Sequence, residues 1–365
     1  MKLSSIINVL ETVAPPSFQE SYDNSGWITG DPSTPCTGVL ISLDATEAVV
    51  EEAVQKGCNL LVVHHPIIFS GLKRIDPGHY VGRAVIAAIK KDIAIYAIHT
   101  NLDNVLEGVN GKIASLLGLT GLRVLRPLSG VLRQLITYVP KDSLETLRNA
   151  LFQAGAGHIG QYDHCGFYLP GTGSFRPLEG AHPYVGQVGE RHYEEEVRIE
   201  LVYFRYREGA ILKALQQAHP YEEVAYNLTD LPNAVRTIGS GAIGELPEPM
   251  EINDVLAKIK EIFRLDVIRH TPPTDKKITT IAVCGGAGSF LTRDAIRAGA
   301  DLFLTSDVKY HEFFEADGRL VLADIGHFES EQFTIDLLFE LIKEKFPNFA
   351  VHKSVVQTNP VQYFI

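Results

Sequence analysis

The sequence repeats itself at a distance: residues 52–61 read EAVQKGCNLL, and residues 294–303 read DAIRAGADLF. Each segment has the pattern of a helix end, a glycine stop and the start of an apolar strand. At the same offset of 242 residues, the apolar run 38–43 (GVLISL) falls on 280–285 (TIAVCG). Because the register holds across strand, helix and strand, the sequence predicts the same α/β unit twice, with apolar strands alternating with helices.

The repeat predicts a division of the chain into three parts. We expect a first α/β lobe over residues 1–126, an insert over 127–236 and a second α/β lobe over 237–365. A chain of 365 residues exceeds the usual domain size of about 100–200 residues, which agrees with this division. The expected fold class is therefore α/β, with two related lobes forming one core and an inserted α+β domain.

The insert has its own pattern of alternating elements. Strand-like residues 135–139 precede a helical pattern at 144–151, and strand-like residues 201–204 precede another at 210–215. Two such halves predict a ferredoxin-like domain. Between them, residues 169–177 read LPGTGSFRP, and their proline and glycine content predicts a loop.

The composition is typical of a soluble globular protein, with 45% hydrophobic and 21% charged residues. The net charge of −11 repels phosphate backbones, so direct nucleic-acid binding is disfavoured. The cysteines are scattered without a C-x-x-C pair, which argues against a disulfide framework and fits a reducing cytoplasm. Residues 1–11 predict an amphipathic helix instead of a signal peptide, and no apolar run approaches the roughly 18–20 residues of a membrane span.

Two adjacent histidines follow an apolar strand in the first lobe. His64 and His65 stand at its end, and Pro66 stops the ladder there. This is the edge of a sheet at which α/β proteins bind ligands. The next apolar run, 93–98, opens into a polar loop that carries Asp103 and would leave the same edge. The alternatives are histidines satisfied by loop hydrogen bonds and an Asx-turn or helix-cap role for Asp103.

The second lobe offers a histidine and a carboxylate on one predicted helix. His327 and Glu331 follow the apolar run 320–323 and are four residues apart. They share a helix face, so an imidazole and a carboxylate can address one metal centre. An ordinary exposed His/Glu pair is the alternative.

The combined donor set is three imidazoles and two carboxylates without a thiolate. Such a set suits zinc or iron first, with manganese, cobalt or nickel as further candidates. Five ligands exceed the three or so that one catalytic metal takes from protein, so we expect two divalent ions sharing a bridging carboxylate. A pair of this kind activates water near neutral pH.

At three places the chain resembles a known family. Residues 22–27 (YDNSGW), 64–66 (HHP) and 327–331 (HFESE) are similar to signatures of the NGG-interacting-factor-like (NIF-three-like) proteins, often labelled GTP cyclohydrolase I type 2 homologues. The likeness covers both lobes, although Tyr22 stands where the family usually has tryptophan. Residues 218–223 (AHPYEE) resemble a signature of the PII/CutA signalling fold, which bacterial members carry as a central insert.

The resemblance implies a specific metal centre and assembly. It maps the family's dinuclear ligands onto His64, His65, Asp103, His327 and Glu331, with Glu331 as the bridge. It also implies a toroidal homohexamer whose metal sites face an internal cavity, and an insert that binds a regulatory ligand.

Further polar residues follow the second-lobe strand that corresponds to the one before the histidine pair. At the 242-residue offset, Ser306 and Asp307 replace the two histidines. We predict that Asp307, Lys309 and His311 handle substrate or protons as catalytic residues, since a histidine that titrates near neutrality suits such work. A surface turn is the alternative.

Two shorter features lie at the same predicted edge. The glycine-rich run 285–288 could cradle an anion with its backbone N–H groups, or form only a tight βα turn. Asp44 and Thr46, its counterparts in the first lobe, are interpreted chiefly as helix caps.

The function that these residues favour is metal-dependent hydrolysis of a small anionic substrate such as a nucleotide or phosphodiester. The family label specifies a GTP cyclohydrolase, but no nucleotide fingerprint is present in the sequence. The alternative is a hexameric metal-binding scaffold or ligand sensor without turnover. A nucleic-acid or transcription-factor adaptor is a third, weaker hypothesis, which the acidic balance opposes.

Overall fold

The computed structural model describes residues 1–364 and separates into two compact units. The first unit joins Met1–Pro127 to Arg236–Ile365, and the second is Leu128–Val235. Among the described residues, no helix is both long and apolar enough to cross a membrane.

The elements alternate between strands and helices along most of the chain. The strands are β1 (Gly26–Thr29), β2 (Val39–Ser42), β3 (Leu60–Val63), β4 (Ala94–Ala97), β5 (Thr120–Ser129), β6 (Leu132–Pro140), β7 (Phe167–Phe175), β8 (His192–Phe204), β9 (Tyr226–Leu231), β10 (Ala234–Met250), β11 (Arg269–His270), β12 (Ile278–Ala287), β13 (Leu302–Ser306), β14 (Val321–Asp324) and β15 (Val351–Lys353). The α-helices are α1 (Leu3–Val13), α2 (Glu47–Gln55), α3 (Tyr80–Lys90), α4 (Thr100–Asp103), α5 (Val109–Leu117), α6 (Leu144–Gln153), α7 (Glu208–Ala218), α8 (Ile252–Phe263), α9 (Thr292–Ala298), α10 (His327–Glu331) and α11 (Thr334–Lys345).

The first unit contains two sheets with similar centres. One has the order β1-β4-β3-β2-β15, in which β15, β2, β3 and β4 are parallel and β1 is antiparallel. The other has the order β11-β14-β13-β12-β10-β5, in which β12, β13 and β14 are parallel. In each sheet, a short antiparallel strand pairs with the last parallel strand. The carboxyl ends of β3 and β4, and those of β13 and β14, therefore meet at one edge of their sheets.

Continuous apolar runs explain why these strands are central. All four residues of β2, β3 and β4 are buried, as expected for parallel strands covered on both faces. Helix α11 packs on β2 and β15, α5 packs on β12, and the two helices contact each other. This helix pair connects the two sheets.

The second unit is a four-stranded antiparallel sheet with the order β7-β8-β6-β9, and α6 and α7 contribute to its core. The prediction of a loop over residues 169–177 is wrong for most of its length, because this segment forms β7. As an edge strand paired only with β8, β7 tolerates Pro170, whose missing N–H would interrupt a central strand. A Cβ on Gly173 would lie 2.1 Å from Oε2 of Glu196 on β8, so a larger residue there would displace the end of that side chain.

Candidate metal centre

Donor side chains from both sheets of the first unit meet at the shared polar edge. His64 and His65 directly follow β3, and Asp103 ends the short helix after β4. His327 and Glu331 are the first and last residues of α10, which follows β14. The structure therefore brings together five residues that are spread over more than 260 positions of the sequence.

Glu331 lies at the centre of this group. Its side chain is 2% exposed, and its Oε2 lies 2.9 Å from Nε2 of His65 and 3.1 Å from Nε2 of His327. Its Oε1 lies 3.7 Å from Nε2 of His64. The two carboxylate oxygens thus face different imidazoles, which is the arrangement that a bridging ligand requires.

Two buried polar atoms at the centre have no hydrogen-bond partner among the described residues. They are Nε2 of His64 and Oδ1 of Asp103, which are 3.6 Å apart and too distant for a good hydrogen bond. Such orphaned atoms require an explanation, and an ion between them provides one. Ligand atoms of His65, His327 and Glu331 lie within 4.8 Å of one another, so this cluster could also hold a metal ion.

The electrostatics of the metal-free centre favour protonated imidazoles. Burial alone would lower the pKa of His65, but hydrogen bonds to Asp44 and Glu331 outweigh it and raise this pKa to about 10. Burial is likewise outweighed at His327, where Glu331 and Asp307 raise the pKa to about 9.

The remaining groups shift in ways that match their surroundings. Burial lowers the pKa of His64, so this ring is neutral and ready to donate a lone pair. Burial, together with the nearby Glu331 charge, raises the pKa of Asp103 well above its usual value. The pKa of Glu331 is held well below its usual value, because the hydrogen bonds from His327 and His65, together with the nearby His64 ring, outweigh its burial.

A hydrogen bond orients each of the three candidate ligand imidazoles through its second nitrogen. Nδ1 of His64 lies 2.9 Å from the carbonyl oxygen of Ile98, Nδ1 of His65 lies 2.8 Å from Asp44, and Nδ1 of His327 lies 2.6 Å from Asp307. Metal-ligating histidines usually make such a bond, which fixes the tautomer and the ring orientation.

The interpretation of Asp44 as a helix cap is wrong, whereas that of Thr46 is confirmed. Thr46 caps α2 by accepting a hydrogen bond of 3.3 Å from the backbone N–H of Val49. Asp44 turns toward His65 instead, and its second oxygen accepts a 2.5 Å hydrogen bond from the hydroxyl of Thr358 near the C-terminus. The carboxylate therefore links the C-terminal segment to an imidazole of the centre.

Gly286 makes room for Glu331, and the N–H groups of Gly285 and Gly286 are already bonded within the protein. The N–H of Gly285 donates to Oδ1 of Asn110, and that of Gly286 donates to Oγ of Ser330, each at 3.0 Å. A Cβ on Gly286 would lie 2.3 Å from Oε1 of Glu331. Gly286 also has a φ of +64°, which disfavours any other residue.

Sequence reasoning missed a second pair of residues beside the centre. Nδ1 of His99 lies 2.8 Å from Oδ1 of Asp23, and His99 forms a further cluster of possible ligands with His64 and His65. Although burial opposes it, the hydrogen bond from His99, supported by Thr100, lowers the pKa of Asp23 far below its usual value. The only available signal was the presence of Asp23 in the 22–27 signature.

The three residues predicted to be catalytic have different surroundings in the structure. Asp307 contacts His327, as described above, and so acts on the centre through that ring. Lys309 and His311 lie at the start of a 3₁₀ turn, where the His311 ring packs against Tyr310 and Phe314. Neither Lys309 nor His311 is among the residues that line the cavity beside the centre.

This cavity has a volume of about 740 Å³ and opens directly onto the candidate ligands. His65, Asp103, His327 and Glu331 form part of its wall. Clefts of this size are typical binding sites for small molecules. The fold and the site together define an α/β protein with a potential metal centre at the floor of a ligand-sized cavity.

Comparison with known proteins identifies the family. The model of the family described as Duf34/NIF3 (NGG1p interacting factor 3) matches residues 1–360. The chain belongs to this family, which confirms the resemblance drawn from its signatures.

Relatives and solved structures cover nearly the whole chain. The chain is 38% identical to the "GTP cyclohydrolase 1 type 2 homolog" of Halalkalibacterium halodurans, over 98% of each protein. It is also 38% identical to the Bacillus subtilis protein of the same name, over 88% of this chain and 87% of the relative. A crystal structure of a Bacillus cereus protein related to NIF3 matches with a TM-score of 0.84 and 36% identity, covering 100% of this chain and 99% of the other.

Proposed function

We propose that the protein is a metal-dependent hydrolase with two divalent ions per chain. One ion would be held by His64, Asp103 and Oε1 of Glu331, and the other by His65, His327 and Oε2 of Glu331. The observation that carries this proposal is the central position of the Glu331 carboxylate, whose two oxygens face separate groups of donors. The orphaned atoms of His64 and Asp103 support the first position.

The donor set favours zinc or iron, with manganese, cobalt or nickel as alternatives. Cys284 also lines the cavity, and burial strongly raises the pKa of its thiol. When bound, two such ions lower the pKa of water and stabilise negative charge that develops on a substrate.

The residues of the chain would prepare this chemistry by orientation. Asp44 and Asp307 hold the rings of His65 and His327 so that the Nε2 atoms face Glu331. Asp23 holds His99 at the cavity wall, where its Nε2 makes no hydrogen bond to the described residues and is free to contact a substrate. Roles for Lys309 and His311 in handling substrate or protons stay predictions.

We also infer the architecture that the repeat and the family imply. The matching centres of the two sheets support two related α/β lobes, with boundaries near residues 126 and 237. The βαββαβ order of the second unit and its strand order support a ferredoxin-like, PII/CutA-like insert. A cytoplasmic toroidal hexamer is part of the same proposal, and light scattering in solution tests it.

Turnover measurements test the proposed hydrolase directly. We expect hydrolysis in a screen of small substrates that disappears when metal is stripped and returns on reloading. Glu331→Gln should lower turnover at least about 100-fold, since it removes the bridging charge. Glu340→Gln, which changes an exposed glutamate paired with Lys112, is the matched control and should leave turnover unchanged.

Two results would redirect the proposal. Turnover that persists in metal-free protein would refute a metal-dependent hydrolase. Bound metal without turnover on any substrate would support a hexameric scaffold or sensor. Joining Pro127 to Thr237 removes the insert, and retained metal and turnover in that variant would assign the insert to regulation.

A further inference from the structure

The wall of the cavity beside the centre carries no lysine or arginine among the residues described. Its charged groups other than histidines are four carboxylates, namely Glu20, Asp44, Asp103 and Glu331. Arg126 lies 4.6 Å above the ring of Phe290 at this wall. It does not itself line the cavity, and it forms an ion pair with Asp294. Proteins bind phosphate chains with arginine, lysine or clustered free N–H groups.

The backbone at Gly285 and Gly286 does not compensate for the missing lysine and arginine side chains. The glycine-rich run is the segment of the wall best suited to bind an anion, and the N–H groups of Gly285 and Gly286 already donate to protein oxygens. A triphosphate in this cavity would therefore face several carboxylates with only the metal ions to offset its charge.

The outer wall is instead aromatic. Four rings line the cavity and are half or more exposed, at 50–60%: Tyr22, Phe69, Tyr80 and Phe290. The rings of Tyr22 and Phe69 are 6.2 Å apart and tilted by 45°, and Phe69 lies 6.2 Å from the ring of His99. Exposed aromatic faces at a cavity mouth favour planar ring systems, which gain stacking energy without needing charge.

The Glu20 carboxylate in the cavity wall has an oxygen available to bind such a ring. Oε1 of Glu20 accepts hydrogen bonds from Asn104 and Ser240, while its Oε2 accepts none from the described residues. A free carboxylate oxygen accepts N–H donors from the edge of a nitrogen heterocycle.

We propose that the substrate is an uncharged, planar nitrogen heterocycle and not a nucleoside triphosphate. Its face stacks on one of the Tyr22 and Phe69 rings while the other contacts its edge, its N–H edge donates to Glu20, and its carbonyl or hydroxyl oxygen faces the metal centre. This inference rests on the proposed function, which it narrows, and it replaces the expectation of an anionic substrate.

Calorimetric titration of the metal-replete protein tests the inference without a need for turnover. The probes are three uncharged ligands, guanosine, pterin and 2-hydroxypyridine, and two phosphates, GTP and tripolyphosphate. We expect at least one uncharged ring to bind with a Kd below about 1 mM. Guanosine should bind at least as tightly as GTP, because the cavity wall has no lysine or arginine to contact the triphosphate.

Variants identify the contacts. Tyr22→Ala and Phe69→Ala should each weaken ring binding about 5- to 150-fold, the loss expected for one stacking contact. Glu20→Gln should weaken ring binding about 10-fold, while its amide oxygen can still accept the hydrogen bond from Asn104. Tyr310→Ala, which removes a ring that is 73% exposed but outside the lining, is the control and should leave binding unchanged.

The outcomes separate this inference from the proposed function. Elemental analysis of each sample reports the metal content independently of ligand binding. Metal-replete protein that binds no ring, or that binds GTP at least ten-fold more tightly than guanosine, overturns the substrate class but leaves the metal centre intact. Loss of ring binding in Tyr310→Ala to the same extent as in Phe69→Ala also overturns it.

Discussion

Loading the metal-free protein with zinc should release about two protons per chain at about pH 7.5. Metal ligation requires neutral imidazoles, and the pKa values of His65 and His327 in the metal-free centre are raised to about 10 and about 9. Both rings are therefore almost fully protonated at this pH and must lose a proton. His64 contributes none, because burial lowers its pKa, and any proton on Asp103 adds to the count.

The number of protons released should fall as the pH rises. At about pH 9, His327 is half deprotonated before metal arrives, so the release falls to about one and a half protons. Since both folded pKa values lie above the unfolded value of about 6.5, these rings stabilise the metal-free protein fully below about pH 6.5. That contribution is lost as the pH rises through about 9 and then 10, so bound metal should protect the fold most in this range.

Isothermal titration in buffers of different ionisation enthalpy measures the proton count as a slope. Asp307→Asn should lower the count, because His327 loses one of the two carboxylates that raise its pKa. Asp336→Asn, remote from the centre and paired with Lys353, should leave it unchanged. A slope near zero at about pH 7.5 would refute the electrostatic account of the centre.

Three further substitutions test other contacts. Gly286→Ala should weaken metal binding at least about ten-fold, since its Cβ would lie 2.3 Å from Glu331 Oε1 and its φ is +64°. Thr358→Val should weaken metal binding by a few-fold up to about ten-fold, because Asp44 loses the hydroxyl that holds it. Asp23→Asn should lower the free energy of unfolding by about 2 kcal/mol near neutral pH, because its charge-assisted hydrogen bonds are weakened. Because the pKa of Asp23 is lowered in the folded protein, this stability is present above about pH 4 and is lost as the pH falls. The free energy of unfolding of the variant should therefore change less between neutral and acidic pH than that of the wild type.

Matched controls keep these results interpretable. Gly209→Ala adds a methyl group to an exposed position with open space and should leave metal binding unchanged. Thr12→Val removes an exposed hydroxyl that bonds within α1. Elemental analysis reports metal binding, and chemical denaturation over a pH series reports stability. Equal effects in a variant and its control would contradict the assigned contact.

Much of the framework was predictable because local patterns carry it. The apolar runs that became β2, β3 and β4 and the repeated unit around β12 and β13 were visible as short strands bounded by turn signals. His64 and His65 stood at the end of such a run, and the helical spacing of His327 and Glu331 placed both on one face. Sequence periodicity specifies these features without tertiary information.

The contacts between distant residues were not predictable in this way. Asp44 reaches His65, and Asp23 reaches His99, only after the sheet edges are assembled, and neither pair has a characteristic spacing. The segment that became β7 has the composition of a loop, and its position at the edge of the sheet permits Pro170. Tertiary position, not local propensity, decided these cases.

Anomalous diffraction from metal-replete crystals tests the central claim most directly. The account predicts two peaks per chain, one on each side of the Glu331 carboxylate, the first beside His64 and Asp103 and the second beside His65 and His327. Replacing His64 with alanine should remove or weaken the first peak. One peak, or none under metal-replete conditions, would contradict a dinuclear centre.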